Sequence, residues 1–335
     1  MNFAYVTFLI KNDSYVPGAL VFAYSLKLQN TKADLLCFVS KDISQTGVES
    51  LKLLYDKVIF TEQIVVDNKR SQTRQDVKLL FNRFNALLLE DPSVAGKKYD
   101  KIIIVDCDTI AIKKWDELFS LQAPAGIINE SKTHTMEYDE DGNYIIPANY
   151  NKTTEWIWHE VYKDYPHGSP LPKEITDRVN IDNTNMGVNS GMYLLSPSLE
   201  LYNSILDDLA LEVEKQKIHN FNWPEMQYLT QKLSGKWHNI DIKYLSISGY
   251  PNLEHINGIH YVGLKPWSFK NSSLKTFARY DDFKLWYATY KKMLNEYPAL
   301  LTNIKIKSLL TKINTLQQNP KYVLTNVVDN VKHLV

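Results

Sequence analysis

A short β-branched segment that ends in two acids constrains this chain more than any other feature. Residues 102–105 read Ile-Ile-Ile-Val, a run typical of a strand that is covered on both faces. Because a strand alternates its faces, Asp106 and Asp108 start on the same side, just past the carboxyl end of that strand. In an open α/β sheet, ligands bind at this edge. The segment therefore predicts a buried strand that delivers two carboxylates to a ligand site.

Two carboxylates held side by side repel each other unless a positive charge lies between them. A hard divalent cation with oxygen ligands suits such a pair and leaves room for substrate phosphates. The competing interpretation is a pair of N-cap or turn acids that only close the strand, because short motifs often match by chance. The remainder of the chain bears on this choice.

Strands alternate with helices in the first third of the chain. The predicted strands are 3–10, 35–39 and 57–60, and the predicted helices are one that opens at Pro17 and those over 48–54 and 76–89. This alternation predicts a Rossmann-like α/β fold, with a mixed, mainly parallel sheet flanked by helices. The sequence has no G-x-G-x-x-G after the first strand and no G-x-x-x-x-G-K-[ST], which disfavours ordinary dinucleotide sites and P-loops.

Two later regions differ in character from the first. Residues 129–185 are rich in Tyr, Asn, Asp, Pro and Trp, with one short helix predicted over 154–162, and we interpret them as an insertion that partly covers the site. After residue 270, apolar residues recur at helical spacing. We predict a catalytic domain over 1–275 and a helical extension over 276–335. The extension either packs on the catalytic domain or serves dimerisation or acceptor binding.

Composition limits the partners and the compartment. Lys+Arg and Asp+Glu both number 38, so the formal charge of zero gives no electrostatic argument for nucleic acid or anionic membrane. No apolar run approaches the ~20 residues of a membrane span, and residues 1–10 lack the basic leader of a signal peptide. Cys37 and Cys107 both fall in or at the end of predicted buried strands, which fits a reducing compartment. We expect a cytoplasmic protein.

Five segments lie at plausible loop edges of the predicted sheet: 5–20, 81–84, 106–109, 189–191 and 260–267. Taken together and in this order, they resemble the glycogenin-like glycosyltransferases of family 8. The resemblance covers most of residues 3–270. It implies a GT-A fold, a UDP-sugar donor, Mn²⁺ (or Mg²⁺) as cofactor, and retention of configuration at the anomeric carbon.

The resemblance also implies roles for individual residues. Metal binding is implied for Asp106, Asp108 and His260. The other implied donor-site residues are Thr7, Asn12 and Tyr15 around the uracil and ribose, Arg83 near the donor, Cys107 between the two acids, Asn189 and Ser190 at the donor sugar, and Gly263 and Lys265 at the diphosphate. Gln227 matches a glutamine near the reacting carbon, and it joins Lys265 and Asn189 as a catalytic candidate.

One departure from the family pattern concerns the sugar. Where the family often has Asp-Gln, this chain has Met226-Gln227, and the nearest acid is Glu225. The last motif is one residue shorter than in animal glycogenins and looks more like that of plant glucuronosyl relatives. UDP-glucose is the expected donor, although these differences leave the sugar open.

Three functional hypotheses follow from the sequence. The first is retaining transfer of a hexose from a UDP-sugar to a glycan or protein hydroxyl. The second is a nucleotide-sugar hydrolase or phosphoryl-transfer enzyme that uses the same metal pair. The third is a non-catalytic scaffold. The co-occurrence of Asp106, Asp108, His260 and Lys265 argues against it.

A self-glycosylating form of the first hypothesis centres on Tyr250. A donor site on the partner subunit of a homodimer would reach this residue, which is expected on an exposed turn. The alternative is that Tyr250 only lines the acceptor cleft.

Overall fold

The computed structural model of the chain describes residues 1–72, 75–128, 137–138, 144–145, 164–183, 185–247, 253–270, 274, 278 and 280–318. The helix predicted over 154–162, Tyr250, and the end of the predicted extension lie outside these residues.

Twelve strands are found in the described residues: β1 Phe3–Leu9, β2 Asp34–Val39, β3 Lys57–Phe60, β4 Lys101–Val105, β5 Thr109–Ala111, β6 Ala125–Ile128, β7 Glu137–Tyr138, β8 Tyr144–Ile145, β9 Val188–Leu195, β10 His238–Asn239, β11 Ser246–Ile247 and β12 Gly258–His260. The α-helices of the same residues are α1 Val16–Leu28, α2 Gln45–Lys52, α3 Pro92–Ala95, α4 Lys173–Thr176, α5 Arg178–Ile181, α6 Leu199–Ala210, α7 Glu212–Asn220, α8 Pro224–Lys232, α9 Asp281–Glu296 and α10 Ile304–Gln317.

Seven strands form the central sheet, in the order β10-β6-β9-β4-β1-β2-β3. Strand β1 runs parallel to β2 and β4, whereas β9 runs antiparallel to β4 and β6. The predicted mixed, mainly parallel sheet is therefore confirmed. A smaller sheet, β11-β12-β5, extends from the strand that follows the two acids.

Strand β4 is covered on both faces, as its β-branched run predicts. Ile103 and Val105 belong to one hydrophobic cluster, and Ile102 and Ile104 belong to the cluster on the opposite face. The period of two in this strand divides its side chains between the two cores. With both faces buried, the strand can present polar groups only where it ends, which is where the acids stand.

The predicted helix over 76–89 is present but wound as a 3-10 helix, Gln75–Glu90. Its buried side chains include Phe81, Phe84 and Leu87. The side chains of Asn82 and Arg83 donate hydrogen bonds to the carbonyl oxygens three residues earlier, at 2.7 and 3.2 Å. Side chains of the same helix thus supply hydrogen bonds to these carbonyl oxygens.

Helix α1 is buried on almost every side. Ten of the eleven residues from Val16 to Leu26 are buried, and Pro17 is the exception. A helix that is apolar all round belongs in a core. It is enclosed because the sheet covers one side and α9 contacts another. Helices α9 and α10 share the hydrophobic cluster of α1, through Trp286, Tyr290 and other residues.

No helix among the described residues is long and apolar enough to cross a bilayer.

Candidate active site

The two acids and a histidine meet where three strands end. Asp106 follows β4, Asp108 precedes β5, and His260 ends β12, where it pairs with Thr109. The His260 Nε2 atom lies 3.3 Å from Asp108 Oδ1 and 3.7 Å from Asp106 Oδ2. One ligand atom from each of the three residues lies within 4.8 Å of the others. The structure thus brings together the side chains that the resemblance assigns to metal binding.

Backbone contacts hold these ligands in place. The amide of Asp106 donates to the carbonyl of Gly191 (3.1 Å), and the amide of Tyr261 donates to the carbonyl of Asp108 (2.9 Å). A Cβ atom on Gly191 would lie 2.9 Å from His260 Cε1. A glycine is therefore required there for the imidazole to approach β9 this closely.

The donor set fits a divalent cation. Carboxylate oxygens suit Mg²⁺ and Mn²⁺, and an imidazole nitrogen is a common third ligand. The Nε2 atom of His260 is the ring nitrogen turned toward the acids, since Nδ1 is buried and has no hydrogen-bond partner among the described residues. These residues can hold a metal ion.

A lysine neutralises one of the acids. Lys265 forms an ion pair with Asp108 and donates a 2.6 Å hydrogen bond to the carbonyl of Tyr261. Burial alone would raise the pKa of Asp108, but the nearby charges of Lys265 and His260 outweigh it and hold this pKa well below its usual range. Asp108 is therefore a carboxylate at neutral pH, the form that a metal ligand requires.

A buried arginine ties the first acid to β9. Arg83 donates to the carbonyl of Ser190 and lies 3.3 Å from Asp106 Oδ1. Burial would lower the pKa of Arg83, but the charges of Asp106 and Glu225 raise it instead. The guanidinium is thus a fixed positive charge behind the two acids.

A pocket of about 560 Å³ opens beside these groups. Its lining is Phe8, Leu9, Ile10, Lys11, Asn12, Ser14, Tyr15, Asp76, Leu79, Leu80, Arg83, Asp106, Cys107, Asp108, Gly263 and Lys265. Eight of these residues are among the predicted donor-site residues. The volume is typical of a pocket that takes a small-molecule ligand or cofactor.

Tyr15, which lines the pocket, and Trp267, which packs against it, come from two distant segments and form what we call the aromatic wall. The ring of Tyr15 packs edge-on against that of Trp267, with centroids 5.6 Å apart. A Cβ atom on Gly18 would lie 2.4 Å from the Trp267 ring and 2.6 Å from the carbonyl oxygen of Cys107. Gly18 is therefore required for α1 to pack against both segments.

Burial raises the pKa of the Cys107 thiol well above its usual value, so this group is not an activated nucleophile.

The sequence model described as Glycosyl transferase family 8 matches residues 6–271. The chain belongs to glycosyltransferase family 8. Its glycogenin-like character, predicted from the five segments, is confirmed.

Three family relatives illustrate its similarities. An uncharacterized protein of Acanthamoeba polyphaga mimivirus is 27% identical over 88% of this chain and 96% of its own length. Glycogenin of Neurospora crassa is 34% identical over 34% of this chain, but that alignment covers 16% of its own length. The UDP-glucuronate:xylan alpha-glucuronosyltransferase 2 of Arabidopsis thaliana is 22% identical over 79% of this chain and 35% of its own. The match thus spans less than half of the fungal and plant relatives.

The fold is GT-A, as predicted. An active-site mutant of LgtC superposes with a TM-score of 0.50 at 10% identity, covering 82% of this chain and 94% of its own. At this identity, the similarity concerns the fold.

A third acid, Glu225, adjoins the site through Ser190. The hydroxyl of Ser190 donates to Glu225 Oε1 at 3.0 Å, and Glu225 is 3% exposed. The other oxygen, Oε2, is buried and has no hydrogen-bond partner among the described residues. Asn189 stands beside Ser190 and accepts a 2.8 Å hydrogen bond from the amide of Gly191.

Gln227 has a different environment from the one its motif suggests. The side chain is fully buried, and its oxygen accepts from the amide of Trp223 at 2.8 Å. Its nitrogen donates to the carbonyls of Asn183 (3.1 Å) and Asn185 (2.9 Å). Gln227 thus holds the chain before β9, whereas Glu225 contacts Ser190. The one sequence signal for Glu225 was that it is the acid nearest to the altered Asp-Gln motif.

Two other predicted residues, Thr7 and Asn12, differ in their position relative to the pocket. Thr7 is fully buried in β1, and its hydroxyl has no hydrogen-bond partner among the described residues. Asn12 lines the pocket, but its side-chain oxygen accepts from the amide of Ser14 at 2.8 Å. Asn12 therefore shapes the loop that leads to Tyr15. The roles of these residues in donor binding stay predictions.

Proposed function

We propose that this family-8 glycosyltransferase moves a hexose, with retention, from a UDP-sugar to a hydroxyl group of a glycan or protein acceptor, with Mn²⁺ as cofactor. UDP-glucose is the proposed donor. One observation carries the proposal: Asp106, Asp108, His260 and Lys265 converge at the edge of a pocket that is large enough for a nucleotide. Mg²⁺ is the alternative cation.

The positive charges of the site match a diphosphate leaving group. A cation held by Asp106, Asp108 and His260 would supply Lewis-acid stabilisation of the diphosphate. Lys265 is 14% exposed at its side chain and adjoins Asp108, so it supplies a further fixed charge where the leaving group becomes negative. Gly263, with φ of +79°, makes the turn that brings Lys265 back to the pocket.

The proposed sugar position is next to β9. Asn189, Ser190 and the unpartnered oxygen of Glu225 offer acceptors and donors for sugar hydroxyls. We propose front-face attack by the acceptor, whose proton passes to the departing phosphate. Gln227 then acts through the backbone it holds, because both ends of its amide are engaged there.

A nucleotide-sugar hydrolase or phosphoryl-transfer enzyme is the second candidate, since the same metal set would polarise a pyrophosphate. A panel of UDP-sugars with Mn²⁺ separates the two. We expect UDP release that increases when an acceptor is added, together with a glycosylated acceptor. Free sugar at an acceptor-independent rate, or release of UMP, would contradict the proposal.

Tyr15 is predicted to stack on the uracil. Tyr15→Ala should weaken UDP binding by about 1–3 kcal/mol, the usual scale of base–aromatic stacking. Tyr15→Phe keeps the ring and should bind UDP almost like the parent. Calorimetric titration with UDP in the presence of Mn²⁺ measures both. If Tyr15→Ala binds UDP as the parent does, Tyr15 serves only to pack against Trp267.

Self-glycosylation at Tyr250 is tested by intact-mass spectrometry. Tyr250 lies outside the described residues, and its expected exposure follows from its position between Gly249 and Pro251 in the sequence. After incubation with Mn²⁺ and each UDP-sugar, we expect an unmodified protein mass and transfer to an added acceptor. A ladder of hexose additions that vanishes in Tyr250→Phe would instead support self-priming and a homodimer.

The proposed organisation keeps a catalytic domain over 1–275, with 129–185 as an insertion that partly covers the site, and an extension over 276–335. Both cysteines are buried, which supports a reducing, cytoplasmic compartment. A homodimer is proposed only in connection with self-glycosylation.

A further inference from the structure

Helices α9 and α10 lie outside the part of the chain that the family model matches, which ends at residue 271. They nevertheless contact both walls of the donor pocket. The contacts fall into three groups, which concern the loop of Lys265, the aromatic wall at Tyr15, and the loop of Asn12.

The loop of Lys265 is attached to α9 at both of its ends. The carbonyl of Tyr261 accepts from Lys265 Nζ, and the phenol of Tyr261 donates to the carbonyl of Asp282 at 2.7 Å. At the other end, the phenol of Tyr287 donates to the carbonyl of Pro266 at 3.0 Å. Both tyrosines are fully buried. Helix α9 thereby fixes the segment that presents Gly263 and Lys265 to the pocket.

The aromatic wall continues from the pocket into α9. Trp267 lies between Tyr15, at 5.6 Å, and Trp286, at 5.4 Å, measured between ring centroids. Trp286 stacks in turn on Tyr290, with centroids 5.2 Å apart and planes inclined by 12°. The position of the Tyr15 ring therefore depends on a column of rings that is anchored in the extension.

The loop of Asn12 is attached to α10. Asp13 lies between two pocket-lining residues, Asn12 and Ser14, and its own side chain is 7% exposed. Its Oδ2 accepts from Lys305 Nζ at 2.8 Å and from the Ser44 hydroxyl at 2.7 Å, and its Oδ1 accepts from the Ser44 amide. Burial would raise the pKa of Asp13, but these hydrogen bonds lower it. Lys305 links this loop to the extension.

We propose that α9 and α10 are positioning elements of the donor pocket, and that Tyr287 and Lys305 set the affinity for the nucleotide without touching it. The proposal rests on the proposed function, because it takes the pocket to bind UDP. Its physical basis is preorganisation: a loop already held in its bound conformation loses less entropy when the ligand binds.

Two tyrosines of α9 provide a matched test. Tyr287 and Tyr290 are both fully buried, and each donates one hydrogen bond to a backbone carbonyl. The acceptor of Tyr287 is Pro266, in the pocket loop, whereas that of Tyr290 is Ile306, within the extension. Tyr287→Phe and Tyr290→Phe therefore remove the same chemical group at similar burial, and only the first loosens the pocket loop.

The measurement is calorimetric titration of the full chain with UDP and Mn²⁺, alongside thermal unfolding. We expect similar decreases in Tm for the two variants. The Kd for UDP should rise about fivefold in Tyr287→Phe, which corresponds to ~1 kcal/mol, the net contribution of one hydrogen bond. In Tyr290→Phe the Kd should stay within about twofold of the parent.

A second pair tests α10. Lys305→Met removes the contact to Asp13, while Lys307→Met removes an exposed charge from the same helix. We expect only Lys305→Met to weaken UDP binding. Equal affinity in all four variants, or losses that follow Tm alone, would overturn the inference while the parent still binds UDP. A parent that does not bind UDP would overturn the proposed function, and this inference with it.

Discussion

Asp108→Asn is expected to abolish glycosyl transfer. The carboxylate is one of three ligands that lie within 4.8 Å of one another, and its charge is maintained by Lys265 and His260. Removing that charge deletes transition-state stabilisation of several kcal/mol, so turnover should fall at least about 100-fold. The readout is UDP release with a UDP-sugar and acceptor across a range of Mn²⁺ concentrations. Asp106→Asn should behave in the same way.

Asp207→Asn is the matched control, because Asp207 is exposed on α6 and is not among the residues that line the pocket. It should retain parental activity. Thermal unfolding of all three variants checks that lost turnover does not reflect lost folding. Parental activity of either Asp106→Asn or Asp108→Asn, or full turnover of the parent in excess EDTA, would contradict a metal role for these acids.

Lys265→Met is expected to lower kcat by about 100- to 1000-fold, the effect of removing one preorganised stabilising group from a transition state. Its ammonium group is held by Asp108 and by the carbonyl of Tyr261, so it is fixed before the reaction starts. Because negative charge on the diphosphate grows as the bond to the sugar breaks, kcat should fall more than UDP affinity does. Single-turnover kinetics and UDP titration measure the two effects.

Lys312→Met, on the exposed side of α10, controls for the loss of one positive charge from the whole protein. It should leave both kcat and UDP affinity unchanged. Weaker UDP binding with an unchanged kcat in Lys265→Met would mean that the lysine binds the ground state and the transition state equally. Unchanged kcat would exclude it from transition-state stabilisation.

The family-8 site is assembled from segments that lie far apart in the sequence. Arg83 comes from the 3-10 helix before β4, Ser190 from β9 and Glu225 from α8, yet they form one buried cluster. The burial of three polar residues in one place has a cost unless each is paired. The pairing of Arg83 with Ser190 and Asp106 meets that requirement, and Glu225 Oε2 is the exception, because it has no hydrogen-bond partner among the described residues.

Local sequence was sufficient for the elements whose pattern is short-range. The β-branched run of β4 predicted burial on both faces, and the period of a strand predicted that the two acids emerge on one side. The first three strands and first two helices are found within a few residues of their predicted bounds. These features depend on the spacing of neighbouring side chains, which the sequence states directly.

The choice between Glu225 and Gln227 required the tertiary structure. Two residues apart on a helix differ by about 200° in direction, so their side chains leave the helix on nearly opposite sides, and the catalytic role of Gln227 stays a prediction. The sequence matched Gln227 to the family motif, but helix α8 is rotated so that Glu225 contacts Ser190 and Gln227 bonds to the backbone before β9. That rotation is decided by which face of α8 packs on the sheet, a property that no local pattern contains.

In the C-terminal extension, too, the sequence predicted the helices but not the surface on which they pack. Helical periodicity after residue 270 predicted amphipathic helices, and α9 and α10 confirm them. The apolar face of each predicted helix did not indicate which surface of the protein it covers, because such a face can pack on any apolar surface of suitable shape. Tertiary packing placed Trp286 and Tyr287 against Trp267 and Pro266, so the helices came to support the pocket wall. The sequence determined the helices themselves, and long-range packing alone determined the surface against which they fold.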